Sequence, residues 1–534
     1  MTDSLVDFDD LPYKLEDGVP LRQSVLWNLQ HKYYAEQGAE AWRNGQVPHY
    51  ATSNPTVANS YAEIILAFRR DYILQSQLLE SNLSPITICE LGAGSGRLAY
   101  HIISLLDQAG LDANHPTFRY VLTDFSESNL DAWRQQPKFQ ALFERGVLDL
   151  ALLDVSNTER LELQASGKII AAGSLETPLI VIANYLFDSI PQDLYYFDRG
   201  QTRRCMISLA TNLDPKTTAT SELVASLQAQ YSVHPIPEIL SEENAQQKIL
   251  AEYRKNLSDT YLLFPSVALD CVERLKSFSK SGMLLLTADK GDHSLSDLQG
   301  QQQPALVKHG SFSYTVNYHA FAMFCTMNGG VALFPQGAKA GVSFGSLIMT
   351  DSADSYRETR SAYQRTVINA GPADFNTLAR FLRHNMDEMT AEEVLSFIRL
   401  SHYDAHQLLR FLPRLADLTD STSQATRSAA IEVIYKVWKM YLPLGETTDL
   451  ANQIGRLLYE LDEYKHALFF FSRSVELYGD NSITLYSMAA CHYRLEEYEP
   501  AGTLLCIILQ TDPEHEHAQE LLDKCVAALT ECRG

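Results

Sequence analysis

The chain has 534 residues, 46% apolar and 20% charged, and a formal net charge of −23. That length exceeds what one hydrophobic core organises, so roughly two to four domains are expected. So acidic a surface repels phosphate backbones and argues against general nucleic-acid binding. No apolar run approaches the roughly 20 residues needed to span a bilayer, so no membrane partner is expected. The acidic N-terminus MTDSLVDFDD has the character of neither a secretory nor a transit peptide. The eight cysteines are scattered without a C-x-x-C or Cys/His cluster. They read as reduced thiols of a cytoplasmic protein, and no metal site is expected.

Leu21, Val25, Leu26, Leu29 and Tyr33 lie near helical spacing and predict an amphipathic helix within 21–44. A second helix is expected over Tyr61–Leu79. Together they make an N-terminal helical segment, 1–84, expected to pack on the next domain. From Pro85 strands and helices alternate. Ile86–Leu91, Phe118–Thr123, Val147–Leu153, Leu179–Ala183 and Met283–Thr287 read as strands. Leu98–Leu106, Glu127–Arg134 (with Ser126 as N-cap) and Val267–Phe278 read as helices. This alternation predicts an α/β, Rossmann-like domain over 85–365, with a parallel sheet and right-handed crossovers. Tyr261–Phe264 reads as a short strand and Tyr318–Met327 as a helix. Val331–Phe334 and Val342–Met349, split by PQGAKAG, read as a closing pair of strands. Thr211–Gln247 is polar and patternless, and predicts an irregular, lid-like insertion at about 211–250.

Beyond about residue 365 the strand signals stop. Phe375–Met386, Ala391–Leu400, Asp404–Leu415 and Thr426–Tyr441 predict a helical connector, 366–447. In the final segment, 448–534, Gly455, Ala467 and Phe471 recur 34 residues later as Ala489, Ala501 and Leu505, and Pro513 falls near the second repeat's end. The pattern resembles two tetratricopeptide repeats, about 448–481 and 482–515, followed by a capping helix over about 516–530. Gly479 stands where proline is usual. Such stacks present a groove, expected here to take a protein or peptide partner. A generic helical bundle is the alternative.

The stretch Ile86–Tyr100, ITICELGAGSGRLAY, carries the strongest functional signal. A strand containing Glu90 runs into Gly92, Gly94 and Gly96, and a helix follows. Glycines there permit unusual backbone angles and let a ligand approach the main chain, while the helix start points N–H groups at it. G-x-G-x-G with an acid just before it resembles motif I of class I S-adenosylmethionine (SAM) methyltransferases more than the dinucleotide fingerprint G-x-G-x-x-G. An acid such as Glu90 suits a ligand bearing an amine and a sulfonium. Asp124 ends the second strand, where an acid accepts hydrogen bonds from ribose hydroxyls. Asp154 ends the third, as an adenine-side contact or a helix cap.

The ordered set ELGAGSG, LTDFS, ANYLFDSIP and LLLTADKGD resembles the MidA-like SAM-dependent methyltransferases, a family that includes a mitochondrial protein-arginine methyltransferase. HYATSNPTVANSYAEII (His49–Ile65), PSVALDCVERL (Pro265–Leu275) and VNYHAF (Val316–Phe321) extend the resemblance to about residues 45–350. It implies a SAM cofactor. Glu90, Gly92, Gly94, Gly96, Asp124, Asp154 and Asn184 would bind it. Asn184 and Asp188 match the family's N-E-x-F-D element beside the transferred methyl, and Asp289 matches the acid of its D-Y-G. Asp188, Asn184, Tyr185 and His319 are the candidate catalytic residues, and Tyr185, Asp289 and Asn317 the candidate substrate contacts. Two family carboxylates are missing: Tyr185 replaces one, and LLFPS around Leu263 lacks the other. Carboxylates hold a guanidinium in bidentate fashion, so these departures argue against an arginine acceptor. The expected activity is methyl transfer to a protein or peptide recruited by the repeats. The second reading is a noncatalytic assembly factor or scaffold with a degenerate methyltransferase domain.

Overall fold

The computed structural model describes residues 8–38, 50–76, 84–109, 117–157, 159–236, 244–335, 341–419 and 423–531. The chain divides into two units, Met1–Ala373 and Asp374–Gly534. In the first, the principal strands are β1 (Tyr13–Pro20), β2 (Ile86–Leu91), β3 (Phe118–Asp124), β4 (Leu148–Leu152), β5 (Leu179–Asn184), β6 (Asp193–Asp198), β7 (Gln201–Thr211), β8 (Gln228–Pro235), β9 (Thr260–Phe264), β10 (Met283–Asp289), β11 (Val331–Leu333) and β12 (Ser343–Met349). Its main helices are α1 (Val25–Gln37), α2 (Pro55–Ser76), α3 (Arg97–Gln108), α4 (Glu127–Gln135), α5 (Pro137–Glu144), α6 (Ala245–Asn256), α7 (Ser266–Ser277), α8 (Tyr318–Met327) and α9 (Arg357–Tyr363).

The apolar runs read as strands build a seven-stranded sheet in the order β11-β12-β10-β5-β2-β3-β4. Neighbours from β4 to β10 run parallel, and β12 lies antiparallel to both β10 and β11. Every residue of β2 and β10 is buried, as expected for parallel strands covered on both faces. Cys89, Val181 and Leu285 of this sheet share a core with Tyr253 of α6, Leu269 of α7 and Phe321 of α8. On the remaining flank, α2 packs against α3 and α9. The strand order reverses between β2 and β5. Such a switch point opens a crevice at the carboxyl ends of the strands, where α/β proteins bind ligands.

A second, antiparallel sheet was not anticipated. Its order is β1-β7-β6-β9, with β8 also pairing with β7. It corrects three expectations. The stretch 211–247 is not irregular where described: β7 ends at Thr211, a helix spans Thr220–Ser226, and β8 returns along β7. Residues 237–243 of that stretch lie outside the described residues. Tyr261–Phe264 is a strand, but of this sheet rather than the central one. The N-terminal segment is not wholly helical, because β1 forms one edge of the sheet and α1 packs on it through Leu26 and Trp27.

Boundaries shift for local reasons. α2 starts at Pro55 because Asn54 Oδ1 accepts the Val57 N–H at 3.1 Å. Ser126 precedes α4, but its side chain makes no capping bond and pairs instead with Ser128 Oγ at 2.7 Å. β11 and β12 pair as expected, although most of the PQGAKAG link lies outside the described residues.

The second unit is all-helical: α10 (Pro372–His384), α11 (Ala391–Leu400), α12 (Ala405–Asp417), α13 (Gln424–Met440), α14 (Leu450–Glu460), α15 (Tyr464–Tyr478), α16 (Ser482–Arg494), α17 (Tyr498–Thr511) and α18 (Glu516–Glu531). The last five fit the repeat spacing. A Cβ on Gly455 would lie 2.7 Å from the Phe471 ring, which explains the small residue at that offset. Asp462 and Glu496, 34 residues apart, both turn the chain at φ 63°. The ring pairs Tyr459–Tyr464 (5.3 Å) and Tyr493–Tyr498 (5.6 Å) recur at the same offset. One core runs from Phe375 to Cys491, so the boundary expected at 447 is not a break in packing. Among the described residues no helix is long and apolar enough to cross a membrane.

Candidate functional site

The glycine turn leaves β2 at the switch point. Gly92, Gly94 and Gly96 adopt φ of 59°, 54° and 72°, the left-handed region that side chains resist. A Cβ on Gly92 would lie 3.2 Å from Leu186 Cδ1, and one on Gly96 3.0 Å from the Phe139 ring. The Trp133 indole N–H donates to the Gly94 carbonyl at 2.9 Å and ties the turn to α4. Gly96→Ala is therefore expected to lower stability by about 1–2 kcal/mol, read as a drop in Tm on thermal unfolding.

The turn borders a cavity of about 330 Å³, the size of a small-molecule site. One set of lining residues comes from the carboxyl ends of the strands: Glu90, Gly92, Gly94, Asp124 and Asp154. Glu90 is buried and accepts the Tyr120 hydroxyl at 2.7 Å. Burial pushes its carboxyl up to about 8 against that hydrogen bond, so an empty site holds it protonated at neutral pH. Asp124 accepts the Ser126 N–H at 3.0 Å. Burial pushes it up to about 6, opposed by hydrogen bonds from Ser126, Asn129, Gly94 and Phe125. Asp154 is exposed, and its Oδ1 holds the Ser156 N–H at 2.8 Å, a turn-forming bond. Gly96 shapes the turn but does not line the cavity.

The loop after β5 supplies another wall, with Asn184, Tyr185, Leu186 and Ser189. The Asn184 amide bridges two elements: its Oδ1 accepts the Tyr61 hydroxyl of α2 at 2.8 Å, and its Nδ2 donates to the Thr52 carbonyl at 3.0 Å. Tyr185 holds φ 49°, a strained angle for a residue with a side chain. Burial, then Asp289 and Asp188, push its phenol up.

The remaining sequence candidates do not line the cavity. Asp188 and Asp289 are buried behind it as a pair. Asn317 is 3% exposed and caps α8, its Oδ1 accepting the Ala320 N–H at 3.0 Å while its Nδ2 donates to the Leu263 carbonyl. His319 Nδ1 pairs with the Tyr253 hydroxyl at 3.0 Å, and burial, then His293, lowers its pKa. The structure thus gives Asn317 and His319 packing contacts away from the cavity, in place of the expected substrate and catalytic positions.

Sequence reading missed a third wall, the α1 face bearing Trp27, Asn28, His31 and Tyr34. The His31 ring lies 4.1 Å from that of Phe125, beside Asp124. The available signal was polar Asn28 and His31 in a helix otherwise read as a core stripe. Thr52, Ser53 and Ser189 were also missed, and hydroxyl residues in loops carry no distinguishing pattern.

The donor set fits one ligand chemistry. A buried acid, a glycine cradle that a Cβ would obstruct and a second acid at the next strand end suit a ligand with a cationic centre and ribose hydroxyls. Residues 72–305 match the model of a family described as "Putative S-adenosyl-L-methionine-dependent methyltransferase". No curated protein matches the chain. Among solved structures, an uncharacterised protein from Burkholderia thailandensis is 14% identical over 66% of this chain and 92% of its own, with a TM-score of 0.35. Another of the same superfamily and organism, bound to S-adenosyl-homocysteine, is 13% identical over 67% and 93%, with a TM-score of 0.34. YrrB, a tetratricopeptide protein with an unusual peptide-binding site, is 19% identical over 32% and 91%, with a TM-score of 0.21. Over residues 72–305 the chain is thus similar to this family of S-adenosyl-L-methionine-dependent methyltransferases, and the cofactor this similarity implies is SAM.

Proposed function

We propose that the protein methylates a side chain of a protein or peptide that its helical repeats recruit. The observation that carries this reading is the one cavity lined by the glycine turn, Glu90, Asp124 and the β5 loop at the sheet's switch point. Glu90 would face the cationic end of SAM and Asp124 the ribose hydroxyls. Gly92 and Gly94 give the ligand access to the backbone, and Asp154 borders the adenine side. When bound, SAM supplies a methyl group already activated on a sulfonium. The chain's contribution is to position the acceptor and exclude water. Asn184 anchors the β5 loop to α2, and Tyr185 stands where the acceptor enters. The acceptor-side wall offers the hydroxyls of Tyr34, Thr52, Tyr185 and Ser189 rather than carboxylates. This favours a neutral hydroxyl or amine over a guanidinium. The seven described cysteines form no disulfide, which suits a reducing, cytoplasmic setting.

Recruitment by the repeats has a direct test. Residues 374–534 form their own compact unit, so a chain ending at Ala373 keeps the cavity. With methyl-labelled SAM and a cell lysate, the full chain is expected to label an acceptor. The shortened chain should bind SAM as tightly but label that acceptor at least about tenfold more slowly, the loss of a tethered binding step. Equal labelling by both would refute recruitment. The scaffold reading draws on Tyr185 in place of the expected acid, and any SAM-dependent labelling by the full chain excludes it.

A further inference from the structure

One hydroxyl on the cavity wall is wired to buried carboxyls. Ser189 lines the cavity, and its Oγ donates to Asp188 Oδ1 at 2.6 Å. Asp188 is 6% exposed, and its N–H donates to Asp289 Oδ2 at 3.2 Å. Asp289 is fully buried and also accepts the Lys290 N–H at 2.8 Å. The two carboxyl side chains lie within hydrogen-bond reach of one another. Two carboxyls buried side by side resist ionising together, which favours one proton held by the pair. Burial, then the charge of Asp188, drives Asp289 well above the usual carboxylate range. The titratable groups facing the pair are the phenols of Tyr34 on α1, Tyr185 in the β5 loop and Tyr318 on α8. All three are raised by burial and stay neutral. Tyr34 also lines the cavity, holds Ser311 Oγ at 3.0 Å and interacts with Ser189.

Methyl transfer to oxygen or nitrogen releases a proton, and the two buried acids on the strand-end wall, Glu90 and Asp124, face the cofactor. We propose that Ser189 is a catalytic hydroxyl that takes the acceptor's proton while passing its own to the Asp188–Asp289 pair. The inference rests on the methyltransferase reading above. The acceptor's O–H or N–H bond breaks and its proton goes to Ser189 Oγ, as the Ser189 proton moves to Asp188 Oδ1. The methyl group replaces that proton on the acceptor, and the electron pair of the broken C–S bond stays on sulfur. The pair, which held one proton, now holds two and returns one to water by the same route. Asp188 and Asp289 act through Ser189 and are positioning residues.

Two measurements test the relay. The first is infrared spectroscopy of the ligand-free protein in a Glu90→Gln background, which removes the carboxyl raised to about 8 and leaves Asp124, raised only to about 6, mostly ionised at neutral pH. A protonated-carboxyl C=O band is expected at neutral pH; Asp289→Asn should abolish it, whereas Asp188→Asn should shift its frequency while burial keeps Asp289 protonated. The second uses methyl-tritiated SAM with unfractionated lysate. Ser189→Ala should label about a hundredfold more slowly, the scale of a lost proton-transfer group. Ser189→Thr, which keeps a hydroxyl, should stay within about tenfold of native. Asp188→Asn should label slowly at neutral pH and recover as pH rises. SAM affinity by calorimetry should be unchanged in all three, which separates the relay from misfolding. Native-rate labelling by Ser189→Ala, or absence of the infrared band, would overturn the relay. Failure of the native protein to label anything would sink the methyl-transfer reading and the relay with it.

Discussion

Glu90→Gln is expected to stabilise the empty protein while impairing SAM binding. The Glu90 carboxyl is buried and raised to about 8 by desolvation. At pH 7 the folded chain keeps it protonated where an unfolded chain would ionise it, a difference worth about 3 kcal/mol. Because the folded value lies above the unfolded one, the group's stabilising contribution is complete below about 4.5 and is lost as pH rises through about 8. Glutamine keeps the shape and still accepts the Tyr120 hydroxyl but never ionises, so Tm at pH 7 should rise by about 5 °C. In the proposed arrangement the same change removes the negative charge facing the cofactor's cation. Its loss should weaken SAM binding by about 2 kcal/mol or more, roughly thirtyfold. The pH dependence follows. Binding favours ionised Glu90, so native affinity should climb between about pH 6 and 8 and then level off, with a flatter rise in Glu90→Gln. Thermal unfolding and calorimetry across that range measure both effects. A variant that is less stable when empty, or that binds SAM as tightly as native, contradicts this role.

Asp124→Ala is expected to lower SAM affinity by about 3 kcal/mol, a hundredfold or more, through the loss of charge-assisted bonds to two ribose hydroxyls. Part of the loss is indirect, because Asp124 also holds the N–H groups of Ser126 and Gly94 and so steadies the glycine turn. Asp124→Asn keeps those bonds in part and should fall between native and alanine. Equal affinity in native and alanine proteins would remove Asp124 from the cofactor site.

The central sheet was legible because its strands are buried on both faces. TICEL, YVLT, LIVIA and MLLLT are nearly continuous apolar runs, and their order along the chain with intervening helices dictates a parallel sheet. The second sheet was less legible. β1, YKLEDGVP, is half-exposed, carries Gly18 and has an irregular register against β7, so it lacks a period-two pattern. β7 did carry one: Cys205, Ile207 and Leu209 alternate inward and are fully buried. Apolar Met206 between them, and Arg203 and Arg204 just ahead of them, hid it. At the site, Glu90, Gly92, Gly94 and Asp124 were readable because strand ends and a glycine turn fix their placement. Asp188 and Asp289 were readable as acids but not as a buried pair, since their meeting depends on β5 and β10 lying side by side. The α1 wall is about 60 residues from the glycine turn, and only the folded chain brings it over the cavity.

The most direct test of the account is a calorimetric titration of SAM into the native, full-length protein at about pH 8, where Glu90 can ionise. One SAM per chain should bind, with affinity that falls on acidification and is lost in Asp124→Ala. Absence of SAM binding at that pH, or binding indifferent to both Asp124 and Glu90, would contradict it.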